Sequence, residues 1–366
     1  MIKIMQVLTD TNIGGAGIWL LNFLKSCNRQ ELEVFVALPP NAALAGKIKE
    51  LGAEITEIDG IEDKSFSISA IKNFAKAIKD KKPDIIHTHA SLSARIAAKL
   101  CGVPVVHTRH CLEDKKNFPK NIIYKFINNA LSAHVIGVSR AVTENLKEDG
   151  IKKDKLSLVY NGITPLRCYT PEEKLAARQS FGIGKDDISI GIVARLEEVK
   201  NPLLFAEAAK IVAKKVPEAF FLIVGEGSLR HEMENAMAPI SDRACITGYL
   251  SDVEKAYNAM DMLTLTSTKE ALSISLIEGQ SIELPVISTD SGGPSEIITQ
   301  GKNGLITPNG DADALAEAII QLINNPELRE TFGKCGSEII RQKFTSDRMS
   351  QTIEQIYKKL AGGQIR

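Results

Sequence analysis

Cysteine is sparse: six residues, Cys27, Cys101, Cys111, Cys168, Cys245 and Cys335, are scattered over 366 positions with no C-x-x-C pair. That scatter argues against a disulfide framework or a structural zinc site and points to a reducing compartment. No apolar run reaches the ~18 residues that a membrane-spanning helix needs. Met1 to Leu8 enters a strand pattern directly, without a long apolar region or a cleavage site, so a cytoplasmic chain is expected, neither secreted nor membrane-spanning. No short internal repeat occurs. The dinucleotide G-x-G-x-x-G, the P-loop G-K-[ST] and the metalloprotease H-E-x-x-H are all missing. Charge of one sign is missing too, with 45 Lys plus Arg against 45 Asp plus Glu, and no nucleic-acid partner is expected.

What is present is an ordinary globular composition, 44% apolar and 25% charged, in a chain long enough for two domains. Short Val/Ile/Leu runs alternate with longer amphipathic stretches, the pattern of parallel βαβ units. Strands are predicted at Ile2 to Leu8, Leu32 to Leu38, Asp84 to Thr88, Val103 to His107, Ala133 to Val138 and Leu156 to Tyr160, then at Ile188 to Val193, Ala219 to Val224, Ala244 to Thr247, Met262 to Leu265 and Pro285 to Thr289. Helical patterns at Asp313 to Ile323, Pro326 to Lys343 and Asp347 to Leu360 close the chain. The loop from Asn161 to Pro171 is the expected hinge.

Chemistry concentrates between Met262 and Ile298. An apolar strand ends in Thr266-Ser267-Thr268; Glu270 follows in the loop, and Glu278 comes eight residues later in a helical pattern. Ser275 and Glu278 have the spacing of a helix N-cap and its reciprocal partner, so a strand-to-helix junction that favours a bound anion is expected here. After the strand at Pro285 comes Ser291-Gly292-Gly293, where missing side chains let a ligand approach the backbone. The set Glu-x7-Glu, Pro-Val-Ile and Gly-Gly-x-x-Glu ending at Glu296 resembles the donor-binding signature of the family 4 retaining glycosyltransferases (glycosyl transferases group 1).

Other motifs fall in the order this resemblance implies. Arg195 and Lys200, after the strand at Ile188 to Val193, match the family's Arg-x4-Lys diphosphate motif; a planar fork and a point charge suit a diphosphate. Gly225-Glu226-Gly227 and Gly248-Tyr249-Leu250 resemble turns along the nucleotide site and are given backbone roles. After the first strand, Gly14-Gly15-Ala16-Gly17 leads into a helix and can cradle phosphate. His87, His89, His107 and His110 cluster at two neighbouring strand ends but lack the carboxylate or third-ligand pattern of a zinc enzyme. By resemblance His110 is the histidine that contacts the donor sugar, His107 is the lesser candidate, and His87 and His89 are packed structure. Asp311-Ala312-Asp313 looks like a metal-binding D-x-D, yet it follows Pro-Asn-Gly and opens a helix, where acidic residues cap.

The resemblance implies an α/β GT-B fold: two Rossmann-like, doubly wound parallel-sheet domains facing a cleft. Residues 1–164 would be the acceptor-side domain, 165–344 the donor-binding domain, and the C-terminal helix, 345–366, would pack back on the first. It implies a retaining, metal-independent, cofactor-free transferase of hexosyl or acetylhexosaminyl type, using a nucleotide-diphosphate sugar. Glu278 would accept the ribose hydroxyls and Glu270 the sugar hydroxyls; Arg195 and Lys200 would bind the diphosphate; Gly14, Gly15, Ser273 and Ile274 would line the donor. A nucleotide-sugar epimerase of the same architecture and a non-catalytic sugar-nucleotide binder are the alternatives. The chain departs from the family pattern at Ala271-Leu272-Ser273, where relatives carry a glycine-rich turn, and at Gly17, where Glu or Gln is common.

Charge is unevenly placed. Met1 to Thr164 holds 23 Lys plus Arg against 17 Asp plus Glu, a balance of +6 that the remainder offsets. Lys72, Lys76 and Lys79 form one stripe of a predicted helix at Ile68 to Lys82 whose other stripe is Ile71, Phe74 and Ile78. Lys115, Lys116, Lys120 and Lys125 flank Ile122-Ile123 and Phe126-Ile127. These features favour a glycan or lipid-linked acceptor, met at the anionic inner leaflet of a membrane in cell-surface glycan or lipopolysaccharide synthesis.

Overall fold

The computed structural model of the chain describes residues 1–11, 14–114 and 120–362, with only the backbone of 120–123. The chain forms two compact units, Met1–Thr164 with Phe344–Arg366, and Pro165–Lys343.

The first unit is built on seven parallel strands: β1 (Ile2–Val7), β2 (Leu32–Leu38), β3 (Glu54–Glu57), β4 (Ile85–Thr88), β5 (Val105–Arg109), β6 (His134–Gly137) and β7 (Leu156–Leu158), in the order β3-β2-β1-β4-β5-β6-β7. Helices cover both faces, so most strand residues are buried whichever way they point. Strand alternation sorts them. Ile4, Leu8, Ile85, Val106 and Ile136 pack with Trp19 and Phe23 of the helix Gly15–Ser26 and Tyr357 of the helix Ser346–Gly362. Met5, Val7, Ile86 and Val105 pack on the other face with Phe74 and Ile78 of the helix Ile68–Lys81 and Ala94 of the helix Leu92–Leu100.

The second unit has six parallel strands: β8 (Ile188–Val193), β9 (Ala219–Val224), β10 (Ala244–Ile246), β11 (Met262–Leu265), β12 (Val286–Thr289) and β13 (Gly304–Thr307), in the order β10-β9-β8-β11-β12-β13. Phe205 and Val212 of the helix Pro202–Lys215 and Leu315 and Ile319 of the helix Ala312–Ile323 pack on Ile190, Phe221, Ile223 and Ile287. In each unit the strand order reverses once, between β1 and β4 and between β8 and β11. Loops leaving opposite ways at such a point open a crevice at the carboxyl ends of the strands.

The expected pair of doubly wound α/β sheets is therefore present. The helix Ser346–Gly362 belongs to the first unit, where Ser26 Oγ donates to the Ser346 carbonyl (3.1 Å) and Asn28 N donates to Glu354 Oε1 (2.8 Å). Three elements differ from expectation. β3 is a sheet-edge strand with exposed Glu54 and Glu57, so it has no apolar run to announce it. β13 is only four residues long. The helix Pro171–Ser180 forms because Thr170 and Glu173 make a reciprocal capping box around Pro171. Several predicted strands end one or two residues early, where the ladder stops before the apolar run does, as at β7.

Candidate active site

In the second unit the crevice between β8 and β11 gathers the predicted anion and sugar ligands. Arg195 follows β8, held from below by Leu196, which is 1% exposed and whose N donates to the Glu226 carbonyl (2.9 Å). Gly225 makes that contact possible: its φ is +147°, and a Cβ there would lie 1.8 Å from the Ala194 carbonyl oxygen. The Arg195 side chain is exposed and makes no hydrogen bond or ion pair among the described residues. Lys200 ends a short 3-10 turn, Glu198–Lys200, before Asn201 in the left-handed region and Pro202 open the next helix.

Lys200 and Glu270 are not separate groups. Lys200 Nζ lies 2.5 Å from Glu270 Oε2, and Ser267 Oγ donates to the same oxygen at 3.1 Å. The backbone fixes both ends: Thr266 Oγ1 donates to the Lys200 carbonyl (2.9 Å), and Thr268 N to the Val199 carbonyl (2.9 Å). Glu270 N donates to the Ser291 carbonyl and Gly293 N to the Glu270 carbonyl, tying the acidic loop to the Gly292-Gly293 turn. A Cβ on Gly293 would stand 2.1 Å from the Ala271 carbonyl oxygen, so this glycine serves the chain's own packing.

The helix Ile274–Ser281 corrects one expectation. Its N-cap is Ser273, whose hydroxyl accepts from Leu276 N (3.3 Å); Ser275 sits inside the first turn and shares a hydrogen bond with Ser273 (3.0 Å). The helix begins two residues early because Ser273, with extended backbone, caps the turn first. Glu278, in the second turn of this helix, takes a hydrogen bond from Tyr257 Oη at 2.9 Å. Burial and the adjoining carboxylate push Tyr257 well above the usual phenol range, which keeps it a donor to Glu278. Ile274, Ser275 and Glu278, spaced i, i+1 and i+4, are the half-buried stripe of this helix.

In the first unit Gly14 is the N-cap of the helix Gly15–Ser26. Its added Cβ would come no nearer than 3.5 Å to Asp10 Oδ2, and that of Gly15 would meet nothing within 4 Å. The chain's own packing thus does not require either glycine. Gly17 differs, since a Cβ there would be 2.4 Å from Leu44 Cδ1, so a larger residue would require the Leu44 side chain to move.

The histidines divide by strand parity. His107 shares the face of Val105, and its Nδ1 lies 3.2 Å from the Thr88 carbonyl. His87, His89 and His110 share the other face, edge-on or tilted to Trp19 with ring centroids 5.2, 4.6 and 5.9 Å away. His110 Nε2 is 2.8 Å from His89 Nδ1, His89 Nε2 is 3.1 Å from Gln6 Oε1, and Gln6 Nε2 donates to Tyr357 Oη (3.0 Å). His87 Nδ1 also meets Tyr357 Oη, while its Nε2 lies 2.7 Å from Thr108 Oγ1. Burial drives His87 and His110 down to about 3 and holds His89 and His107 well below the usual imidazole value. His110 joins this network and His107 does not.

Gln6, Tyr357, Ser267 and Tyr257 escaped the sequence reading. Each lies in an apolar run or a polar cluster whose only sequence signal is core or loop, and its partner is distant in the chain. Asp311 Oδ1 accepts from Ala314 N at 2.9 Å, the capping bond of the helix Ala312–Ile323. Among the described residues no group of three or more His, Cys, Asp or Glu is arranged to hold a metal ion. Among them, too, no helix is long and apolar enough to cross a membrane.

Residues 13–167 match the family model described as Glycosyltransferase Family 4, and residues 173–338 match Glycosyl transferases group 1. The chain is 26% identical over 367 residues to the UDP-Gal:alpha-D-GlcNAc-diphosphoundecaprenol alpha-1,3-galactosyltransferase of Escherichia coli, covering 91% of this chain and 93% of that one. It is 24% identical over 330 residues to the capsular polysaccharide biosynthesis glycosyltransferase CapM of Staphylococcus aureus, covering 85% and 87%. Among solved structures, HepE of Anabaena, crystallised with UDP and glucose, superposes with a TM-score of 0.86 at 20% identity, covering 97% of this chain and 99% of HepE. Two family models in succession, the motifs in their expected order and two parallel Rossmann-like sheets agree: the chain belongs to the family 4 glycosyltransferases, sugar-transferring enzymes of the GT-B fold.

Proposed function

We propose that this glycosyltransferase moves a hexosyl or acetylhexosaminyl group from a uridine-diphosphate sugar to a hydroxyl acceptor with retained anomeric configuration and without a metal. The observation that carries this reading is the unpaired Arg195 beside the Lys200–Glu270 pair at the β8/β11 crevice. The cations would bind the diphosphate, Glu270 the sugar hydroxyls and Glu278 the ribose, with Ser273 and Ile274 alongside. His110 would meet the sugar, and Gly14 and Gly15 would offer bare backbone to a phosphate. The bond from the anomeric carbon to the diphosphate breaks, the acceptor oxygen bonds from the same face, and a phosphate oxygen takes the hydroxyl proton. Arg195 and Lys200 supply the charge stabilisation that a divalent cation gives elsewhere.

The uridine choice is supported by the names of the Escherichia coli relative and of the HepE complex. Incubation with uridine, guanosine and adenosine diphosphate sugars, with and without chelator, should release diphosphate from one uridine donor regardless of chelator, and NMR should find the product anomer unchanged. An inverted product would refute retention, and loss of turnover in chelator would refute the metal-free reading.

The acceptor side of the proposal is a glycan or lipid-linked saccharide of the cell surface, reached at the cytoplasmic face of a membrane. It is supported by the lipid-linked acceptor in the Escherichia coli relative's name and by the basic balance of residues 1–164. Lys72, Lys76 and Lys79 are exposed while Phe74 and Ile78 turn into the core, and at the helix start Phe66 and Ile68 are exposed as well. Lys125 and Phe126 are both exposed, Phe126 by 74%. Lys115 and Lys116 lie outside the described residues, as do the side chains of Lys120, Ile122 and Ile123. Sedimentation should show binding to phosphatidylglycerol vesicles at low salt that is lost at high salt, each lysine contributing about 1 kcal/mol near the surface. Equal binding to neutral vesicles, or none at low salt, would overturn membrane docking.

A further inference from the structure

The polar stripe on the first unit's sheet has a direction. Gln6 pairs in register with His87 across β1 and β4, and strand alternation brings His89, Thr108 and His110 to the same face. Apart from the separate His134–Ser157 pair near the sheet edge (2.9 Å), the strand residues of that face are mostly apolar, so among the described residues these groups bond to one another and to Tyr357. A neutral imidazole has one N–H and one lone pair, and an amide donates from one end and accepts at the other. Gln6 is therefore the group that sets the sense of the whole chain.

With Gln6 Oε1 toward His89, His89 must carry its proton on Nε2 and offer a lone pair at Nδ1. His110 then donates from Nε2 to that lone pair, which leaves Nδ1 of His110 as a bare acceptor. On the other side Gln6 Nε2 donates to Tyr357, Tyr357 donates to His87 Nδ1, and His87 Nε2 donates to Thr108 Oγ1. Every donor points away from His110. Its Nδ1 is the loose end, a buried atom with no hydrogen-bond partner among the described residues.

We propose that Gln6, acting through His89 and braced by Tyr357 of the C-terminal helix, is a positioning residue that holds His110 in the tautomer with an unprotonated Nδ1, so that the site selects a ligand that donates a hydroxyl there. The selected ligand, a sugar hydroxyl, rests on the transferase reading above; the tautomer does not. Burial, which keeps both imidazoles neutral, is consistent with a fixed tautomer rather than a cation. The titratable groups that act on His89 are His87 and His110 on its own face and His107 through the sheet; Tyr357 bonds to His87, on which His134 also acts.

Long-range 1H–15N correlation spectra of the full chain, labelled in histidine, read the tautomer without substrate. His110 should show protonated Nε2 and unprotonated Nδ1. Gln6→Glu should reverse it: a carboxylate beside His89 Nε2 draws a second proton onto His89, whose Nδ1–H forces the His110 proton onto Nδ1. Turnover in Gln6→Glu should then fall at least tenfold more than donor KM changes, and recover as pH rises and His89 loses its proton, a step the unsubstituted enzyme lacks. Gln6→Met, which removes both polar ends, should give mixed tautomers and no such pH step. A protonated Nδ1 in the unsubstituted chain, or a Gln6→Glu variant with unchanged tautomer and turnover, would overturn the proposal. Absence of any sugar transfer would instead overturn the transferase reading and leave the spectra to decide the tautomer.

Discussion

Lys200→Ala should lower turnover by about a hundredfold to a thousandfold, the scale seen when one preorganised group is withdrawn from developing charge. Nucleotide affinity should suffer less, because on the proposed reading Arg195 remains to hold phosphate in the ground state. The Lys200–Glu270 contact adds a second consequence. Glu270 is 9% exposed, and without the ammonium its carboxylate would keep, among the described residues, the Ser267 hydroxyl alone. Stranding a charge of that kind should cost about 2 kcal/mol, less than for a fully buried pair because Lys200 keeps some solvent. Adding Glu270→Gln should restore the unfolding midpoint, since no unpaired charge is left, but not the turnover. Steady-state kinetics and thermal unfolding of the two single variants and the double variant close the cycle. Turnover that recovered in the double variant would reduce the pair to a structural role.

The first unit should fail in mild acid. Its unfolded chain binds protons on histidine below about pH 6.5, whereas folded His87 and His110 stay neutral until about pH 3. Both groups titrate lower in the folded state, so their stabilisation is present above the unfolded pKa and is lost as pH falls towards the folded one. Each then removes about 1.4 kcal/mol per pH unit, and the two together about 3. A domain has only about 5–15 kcal/mol to lose, and His89 and His107 pull the same way. Trp19, the one tryptophan of the chain, touches three of these rings and reports this unit by fluorescence. Denaturant titrations at pH 7, 6 and 5 should show proton uptake of two or more on unfolding. Uptake below one would mean that the folded histidines are already charged.

Most elements were legible because their signals are local. A parallel strand buried on both faces is a short apolar run, a covering helix is a periodic one, and glycine or proline punctuates them. The Arg195, Lys200, Glu270 and Glu278 set was picked out by its resemblance to the family's motifs; each residue follows a strand end or lies on a helix, but by itself Arg-x4-Lys reads as a surface loop of mixed charge. β3 was not legible, because an edge strand with glutamates at both ends has no apolar run. Ser273 and Ser275 could not be separated as caps, because both precede the same helical pattern and only the backbone angle chooses between them.

The amino-acid order alone determined the alternation of strand and helix, the two parallel-sheet units and the catalogue of groups at the strand ends, since propensity and burial period act over a few residues. Tertiary structure decided which of those groups meet. Gln6 and Tyr357 bond across 351 positions, and Lys200 and Glu270 across 70. Sheet register and strand parity set aside His107 and join His110 to His89. Such pairings depend on which strands become neighbours and in what register, and no local energy term fixes that. Only the packed sheet, by burying polar groups among apolar ones, forces each to find its partner.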